Sequence, residues 1–237
     1  MIKYSFISKV KLGREVVLVV REYFLWLALL SVLPLIILPV AAASQRYYAG
    51  YAFKYIEWLT PWGTRANIYT IDTNVPTGHF YSEWVCIILR YSSKYWIQLG
   101  YLKTDTYSVP WFYWETYDSS GRHLFYVIAP TIPGRTYAFT IVHAMKTDMR
   151  LWTLVIQEGV NTIWSGEVSV NPYEPKDHQA FVETTTATIW ITGSHFNKIS
   201  YFDGRSWPYW YTHVKIVTLP YYVVEVSHYE FYAGGGG

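Results

Sequence analysis

Tyr95-Trp96-Ile97-Gln98-Leu99-Gly100-Tyr101 is the stretch whose reading decides the fold. Its alternation sends Ile97 and Leu99 to one side and Trp96 and Gln98 to the other, the period of a strand with one apolar face. Gln98 is the odd member. An amide next to an indole is either a solvated strand residue or a hydrogen-bonding group on the floor of an aromatic groove. A second such place is Gln179-Ala180-Phe181-Val182-Glu183-Thr184, with Phe181 and Glu183 on one face and Ala180 and Val182 on the other. These two strands are expected to lie side by side and to face one cleft.

The pattern spreads outward from there. Upstream, Trp84-Val85-Cys86-Ile87-Ile88-Leu89 is a near-continuous apolar run of the kind covered on both sides, and Ser92-Ser93-Lys94 turns it back as a hairpin. Before it stand strand patterns at Tyr47–Phe53 and from Arg65 to Asp72, with a turn region from Trp58 to Gly63 between them. Downstream, Pro110 to Tyr117 places Trp111, Tyr113 and Glu115 on one face. After the turn Asp118-Ser119-Ser120-Gly121 come strands at His123 to Ile128, Thr136 to His143, Leu151 to Gln157 and Thr162 to Ser165. Asn171 to Asp177 reads as a loop, and Ile199 to Phe202 and Val214 to Val226 close the series. Gly234 to Gly237 reads as a flexible tail or linker. A dozen or so short strands with hardly any helical period predict an all-β protein, a two-sheet antiparallel β-sandwich or barrel. The 237 residues suit one such domain, over 45–233.

Composition agrees. Tyr, Trp and Phe make up 20% of the chain, and aromatic side chains favour strands. The N-terminus reads separately. Five basic residues from Lys3 to Arg21 precede an apolar run from Phe24 to Ala43 that ends in small residues, the marks of an export segment over 1–44. It is either a signal peptide cleaved after Ala43 or Ser44 or a retained anchor, and in both cases the remainder is extracellular or at the cell surface. A membrane partner is expected only through that segment. Without it the chain holds fourteen basic and fifteen acidic residues, a net charge of −1, and no basic cluster to bind nucleic acid. Cys86 is the lone cysteine and reads as a buried small hydrophobe. The seven histidines show no metal-ligand spacing, so neither a metal nor a cofactor is expected.

A series of landmarks runs through the chain in order: Tyr48-Ala49-Gly50, Asn74-Val75-Pro76, Glu83-Trp84-Val85, Ile97-Gln98-Leu99-Gly100-Tyr101, Tyr113-Trp114-Glu115 and Phe181-Val182-Glu183. From Tyr47 to Phe202 this series resembles the glutamic peptidases of the eqolisin family, and more loosely their neprosin-like relatives. The resemblance implies a concanavalin-like jelly roll whose concave sheet holds a Gln/Glu dyad, with Gln98 and Glu183 at the dyad positions. It places Glu115 in the substrate cleft. It also implies hydrolysis of peptide bonds in acid, with a polypeptide as substrate. Departures from the family pattern are Tyr48 for its early Trp, Cys86 for a Gly, and Phe181-Val182-Glu183-Thr184 for its Glu-Trp-Ile.

The chemistry of the residues suits that expectation. A carboxylate can take a proton from water and return one to a leaving nitrogen, and a primary amide donates to an oxyanion without titrating. Apolar neighbours such as Phe181 would raise the pKa of Glu183 by disfavouring its charged form. Trp96, Trp111, Tyr113, Glu115 and Phe181 are the expected substrate-binding residues. The alternative is a non-catalytic carbohydrate-binding or cell-surface structural sandwich, in which Trp96, Trp111 and Tyr113 stack sugar rings. Glycoside hydrolysis is a third reading of the same carboxylates.

Overall fold

The computed structural model describes residues 45–53, 61–90, 93–144 and 150–237. The expected export segment 1–44, the first part of the Trp58–Gly63 turn and Ser92 of the hairpin lie outside the described residues. The described chain holds fourteen strands: β1 Tyr47–Phe53, β2 Gly63–Tyr69, β3 Phe80–Leu89, β4 Trp96–Thr104, β5 Trp111–Tyr117, β6 His123–Pro130 and β7 Thr136–His143, followed by β8 Leu151–Glu158, β9 Asn161–Ser169, β10 Pro175–Thr184, β11 Ile191–Tyr201, β12 Val214–Val217, β13 Tyr221–Ser227 and β14 Glu230–Gly235. All pairings are antiparallel. One sheet runs β12-β1-β10-β3-β4-β5-β6 and the other β13-β14-β11-β2-β7-β8-β9.

The expected all-β two-sheet sandwich is therefore what the chain forms. Alternation does the work on each strand. On β3, Tyr81, Val85, Ile87 and Leu89 enter the core between the sheets, where they meet Ile97, Leu99 and Tyr101 of β4 and Phe139 and Ile141 of β7. Each such side chain contributes roughly 1.5–3 kcal/mol by leaving water. The opposite residues of β3, Trp84, Cys86 and Ile88, form a second apolar layer with Phe181, Leu102 and Tyr113. That layer explains the continuous apolar run read in the sequence, since β3 is the central strand of its sheet and is covered on both faces.

One core position is acidic. Glu83 points between the sheets and is fully buried. The Tyr81 hydroxyl donates to its Oε1, and the Tyr81 and Tyr101 hydroxyls lie 3.1 Å apart. Burial pushes the Glu83 carboxyl up to about 7, although the tyrosine hydroxyls pull it down. His178, on the core face of β10, is also fully buried. Burial lowers its pKa to about 3, opposed by a hydrogen bond with the Pro61 backbone.

Three expectations need correction. First, β4 and β10 are not neighbours, because β3 lies between them. Second, the span Val214 to Val226 is two strands, broken at Pro220, and they fall in different sheets. Third, the glycine tail is part of the sandwich. Gly234 and Gly235 pair with Tyr222 and Tyr221 of β13, and the Gly237 amide donates to the Ala187 carbonyl at 3.0 Å. The turn-like composition of the tail concealed the end of β14, whose Phe231 and Ala233 are buried in the core.

Candidate active site

The outer face of the β10-β3-β4-β5 block carries an open cleft of about 670 Å³. Three cross-strand rows build it. The first is Gln179, Cys86, Gln98, Glu115 and Phe125, each directly opposite the next on neighbouring strands. The second is Gly50, Phe181, Trp84, Gly100 and Tyr113, and the third is Tyr48, Glu183, Ser82, Leu102 and Trp111. Cross-strand partners share a face, so all three rows look the same way.

The middle row explains why a cleft exists at all. Two bulky rings, Phe181 and Trp84, sit side by side with centroids 5.3 Å apart, and a glycine flanks them on each side. A Cβ at Gly100 would come within 2.0 Å of the Glu83 carbonyl oxygen and 2.8 Å of the Trp84 Cα, and one at Gly50 within 2.1 Å of the Ala180 carbonyl oxygen. The backbone approaches too closely there for any side chain. The aromatic floor occupies the space that those side chains would need.

Gln98 and Glu183 stand on either side of this floor. They are two strands and four residues apart in register, about 16 Å between Cα atoms on a flat sheet. Tyr113 spans part of the gap. The Gln98 amide donates to the Tyr113 hydroxyl. Burial raises the Tyr113 pKa, and the negative charge of Glu183, then that of Glu115, raises it further.

Glu183 is 7% exposed and well held. Its Oε1 accepts from the Arg46 guanidinium and its Oε2 from the Trp84 indole at 3.0 Å. Arg46 is itself fixed over the Phe80 ring, 4.6 Å from the centroid. Tyr48 also hydrogen-bonds Glu183, and burial together with that carboxylate pushes the phenol up to about 12. Burial raises the Glu183 pKa above the ordinary carboxylate value, Arg46 and Trp84 draw it back, and the charge of Glu115 adds to the rise. Replacing Arg46 by Gln removes the largest opposing influence. The Glu183 titration, followed by carboxylate NMR, is expected to move to higher pH in that variant, and a midpoint unchanged or lowered would contradict the pairing.

The other expected residues divide. Trp96, Tyr113, Glu115 and Phe181 line the cleft. Trp111 does not: it ends the third row and packs on Tyr107, with centroids 5.4 Å apart. Glu115 lies directly across from Gln98, yet its Oε1 is 2.6 Å from His123 Nε2 at the β6 edge. Trp96 is stacked on Tyr117 at 5.3 Å and 18°, so one indole face is already covered. Cys86 is buried in the cleft floor and burial raises its thiol, as fits an inert small hydrophobe. Arg46, Tyr48, Ser82 and Gln179 were not foreseen as site residues. Their place follows from the β1-β10-β3 register, which no local pattern contains.

Two solved glutamic peptidases share the fold of this two-sheet antiparallel sandwich. The crystal structure of scytalido-glutamic peptidase with a peptide-based transition-state analogue superposes with a TM-score of 0.59, covering 81% of this chain and 99% of that one at 8% identity. SCP-B, a member of the eqolisin family solved with the tripeptide Ala-Ile-His, gives a TM-score of 0.55 with the same coverage and identity. At 8% identity the shared property is the fold. No family model and no curated protein matches the sequence.

Proposed function

We propose that the chain is an exported, acid-acting endopeptidase of the glutamic type, with Gln98 and Glu183 as its catalytic pair. The observation that carries this reading is a buried carboxylate and a buried amide opening into one aromatic cleft, with Tyr113 between them, hydrogen-bonded to Gln98 and raised in pKa by the charge of Glu183. The peptidase neighbours, solved with peptide-like ligands, support a polypeptide as the occupant.

In this mechanism the Glu183 carboxylate takes a proton from a water molecule as the water oxygen attacks the peptide carbonyl carbon. Gln98 uses one N–H on Tyr113 and has a second for the oxyanion, a donor that no change of pH removes. Glu183 then passes its proton to the leaving nitrogen as the C–N bond breaks. Phe181, Trp84 and Phe125 offer apolar surface for side chains of the substrate, and Glu115 with His123 offers a polar end. The sugar-stacking alternative loses support from Trp96, one face of which is taken by Tyr117, and from Trp111, which lies outside the cleft.

Digestion of an unfolded protein by the full chain, across about pH 2 to 7 and with an aspartic-protease inhibitor present, tests the proposal. Glu183→Gln and Gln98→Ala are each expected to lower kcat/KM by about 100-fold or more. Glu115→Gln is expected to act mainly on KM. Full activity in Glu183→Gln, with loss in Glu115→Gln, would move the base to Glu115. Absence of cleavage by demonstrably folded protein would reduce the cleft to a binding site.

A further inference from the structure

The histidines that show no metal spacing in the sequence are partly brought together by the fold. His213 precedes β12, Glu225 is on β13, and His228 is in the turn to β14. One ligand atom from each lies within 4.8 Å of the others. The two imidazoles meet Nδ1 to Nδ1 at 3.1 Å. Two nitrogens bound to one tetrahedral zinc at ordinary bond lengths stand about 3.3 Å apart, so the spacing nearly matches a shared ion. Glu225 Oε2 is 3.5 Å from His213 Nε2, and the Glu225 side chain is 42% exposed. His213 is held in orientation, its ring stacked on buried Tyr51 with centroids 3.8 Å apart.

We infer that His213, His228 and Glu225 form a binding site for a divalent metal ion of the zinc class. Two imidazoles and one carboxylate suit zinc and its neighbours and discriminate against magnesium and calcium, which want more oxygen ligands. The site lies outside the catalytic cleft and does not depend on the reaction assigned there. Its position gives it a purpose: β12 is an edge strand of the cleft sheet and β13 of the other sheet. An ion held there would pin the two sheets together along one open edge. In a chain with a single cysteine no intrachain disulfide can do the same.

Titration of the full chain with Co²⁺, followed by visible absorption and by competition with Zn²⁺, tests this. One ion per chain is expected, with the intense bands of four-coordinate cobalt, displaced by zinc. His228→Ala is expected to weaken uptake by about 100-fold and Glu225→Gln by about tenfold, whereas His195→Ala, at the separate His195–Glu230 pair, leaves it unchanged. His228 is exposed and in a turn, so its variant keeps the fold and carries the test even if His213→Ala, which unstacks from Tyr51, does not. No uptake at millimolar Zn²⁺, or uptake indifferent to His228→Ala, overturns the site.

Discussion

Glu83→Gln is expected to raise the unfolding free energy by about 3 kcal/mol at pH 8 and to leave it nearly unchanged at pH 4. The carboxyl titrates at about 7 in the folded chain against 4.5 for the free group, a difference of about 3 kcal/mol between its two states. Its folded value is raised, so its contribution is fully present below pH 4.5 and is lost as pH rises through about 7. Gln is neutral throughout and still presents an oxygen to the Tyr81 hydroxyl. His178 acts in the opposite sense. Its folded pKa is lowered from 6.5 to about 3, so its contribution is present above pH 6.5 and is lost as pH falls through about 3. Between pH 4.5 and 6.5 the two slopes oppose each other. In Glu83→Gln that opposition is lifted, and stability should climb with pH across the same interval. Guanidinium unfolding at several pH values reads both effects. An equal gain at pH 4 and pH 8, or none at pH 8, would show that the folded-state pKa of Glu83 is not raised.

Gly100→Ala is expected to destabilise the fold by about 3 kcal/mol or more, a fall of roughly 10 °C in melting temperature for a domain of this size. The added methyl meets backbone, the Glu83 carbonyl oxygen at 2.0 Å and the Trp84 Cα at 2.8 Å, and no rotamer change relieves either contact. Because Trp84 also donates to Glu183, the same substitution disturbs the carboxylate. Gly121, which has nothing within 4 Å of a would-be Cβ, is the comparison for space: its positive φ of 80° leaves only a local backbone cost when it is changed to Ala. Equal melting temperatures for the two variants would refute the close-approach reading of Gly100.

Much of this was legible in the sequence wherever alternation was clean. The bounds of β1 and β7 follow directly from their periodicity, and the split of Ile97 and Leu99 from Trp96 and Gln98 separates core from cleft as expected. Legibility failed where the information is not local. The order of strands depends on pairings between distant segments, so β3 could not be foreseen between the strands of Gln98 and Glu183. Strand β14 was hidden because its facial signal is confined to Phe231 and Ala233, and the glycines that follow carry none. Arg46, just after the expected export segment, has no pattern around it and finds its role only once β1 pairs with β10 and brings Tyr48 opposite Glu183. His213 and His228, fifteen residues apart, meet across a sheet edge that no spacing rule describes.

The position of β3 between the two halves of the proposed catalytic pair also bears on motion. Backbone amides on a central strand, covered on both faces, exchange with solvent only when the whole domain opens, whereas those on edge strands such as β6 and β12 exchange through local fraying. The spacer between Gln98 and Glu183 is thus expected to belong to the slowest-exchanging part of the molecule. Substrate can be admitted by fluctuations at the rims while the span across β3 stays fixed. Deuterium uptake along the chain should show β3 as the last segment to label.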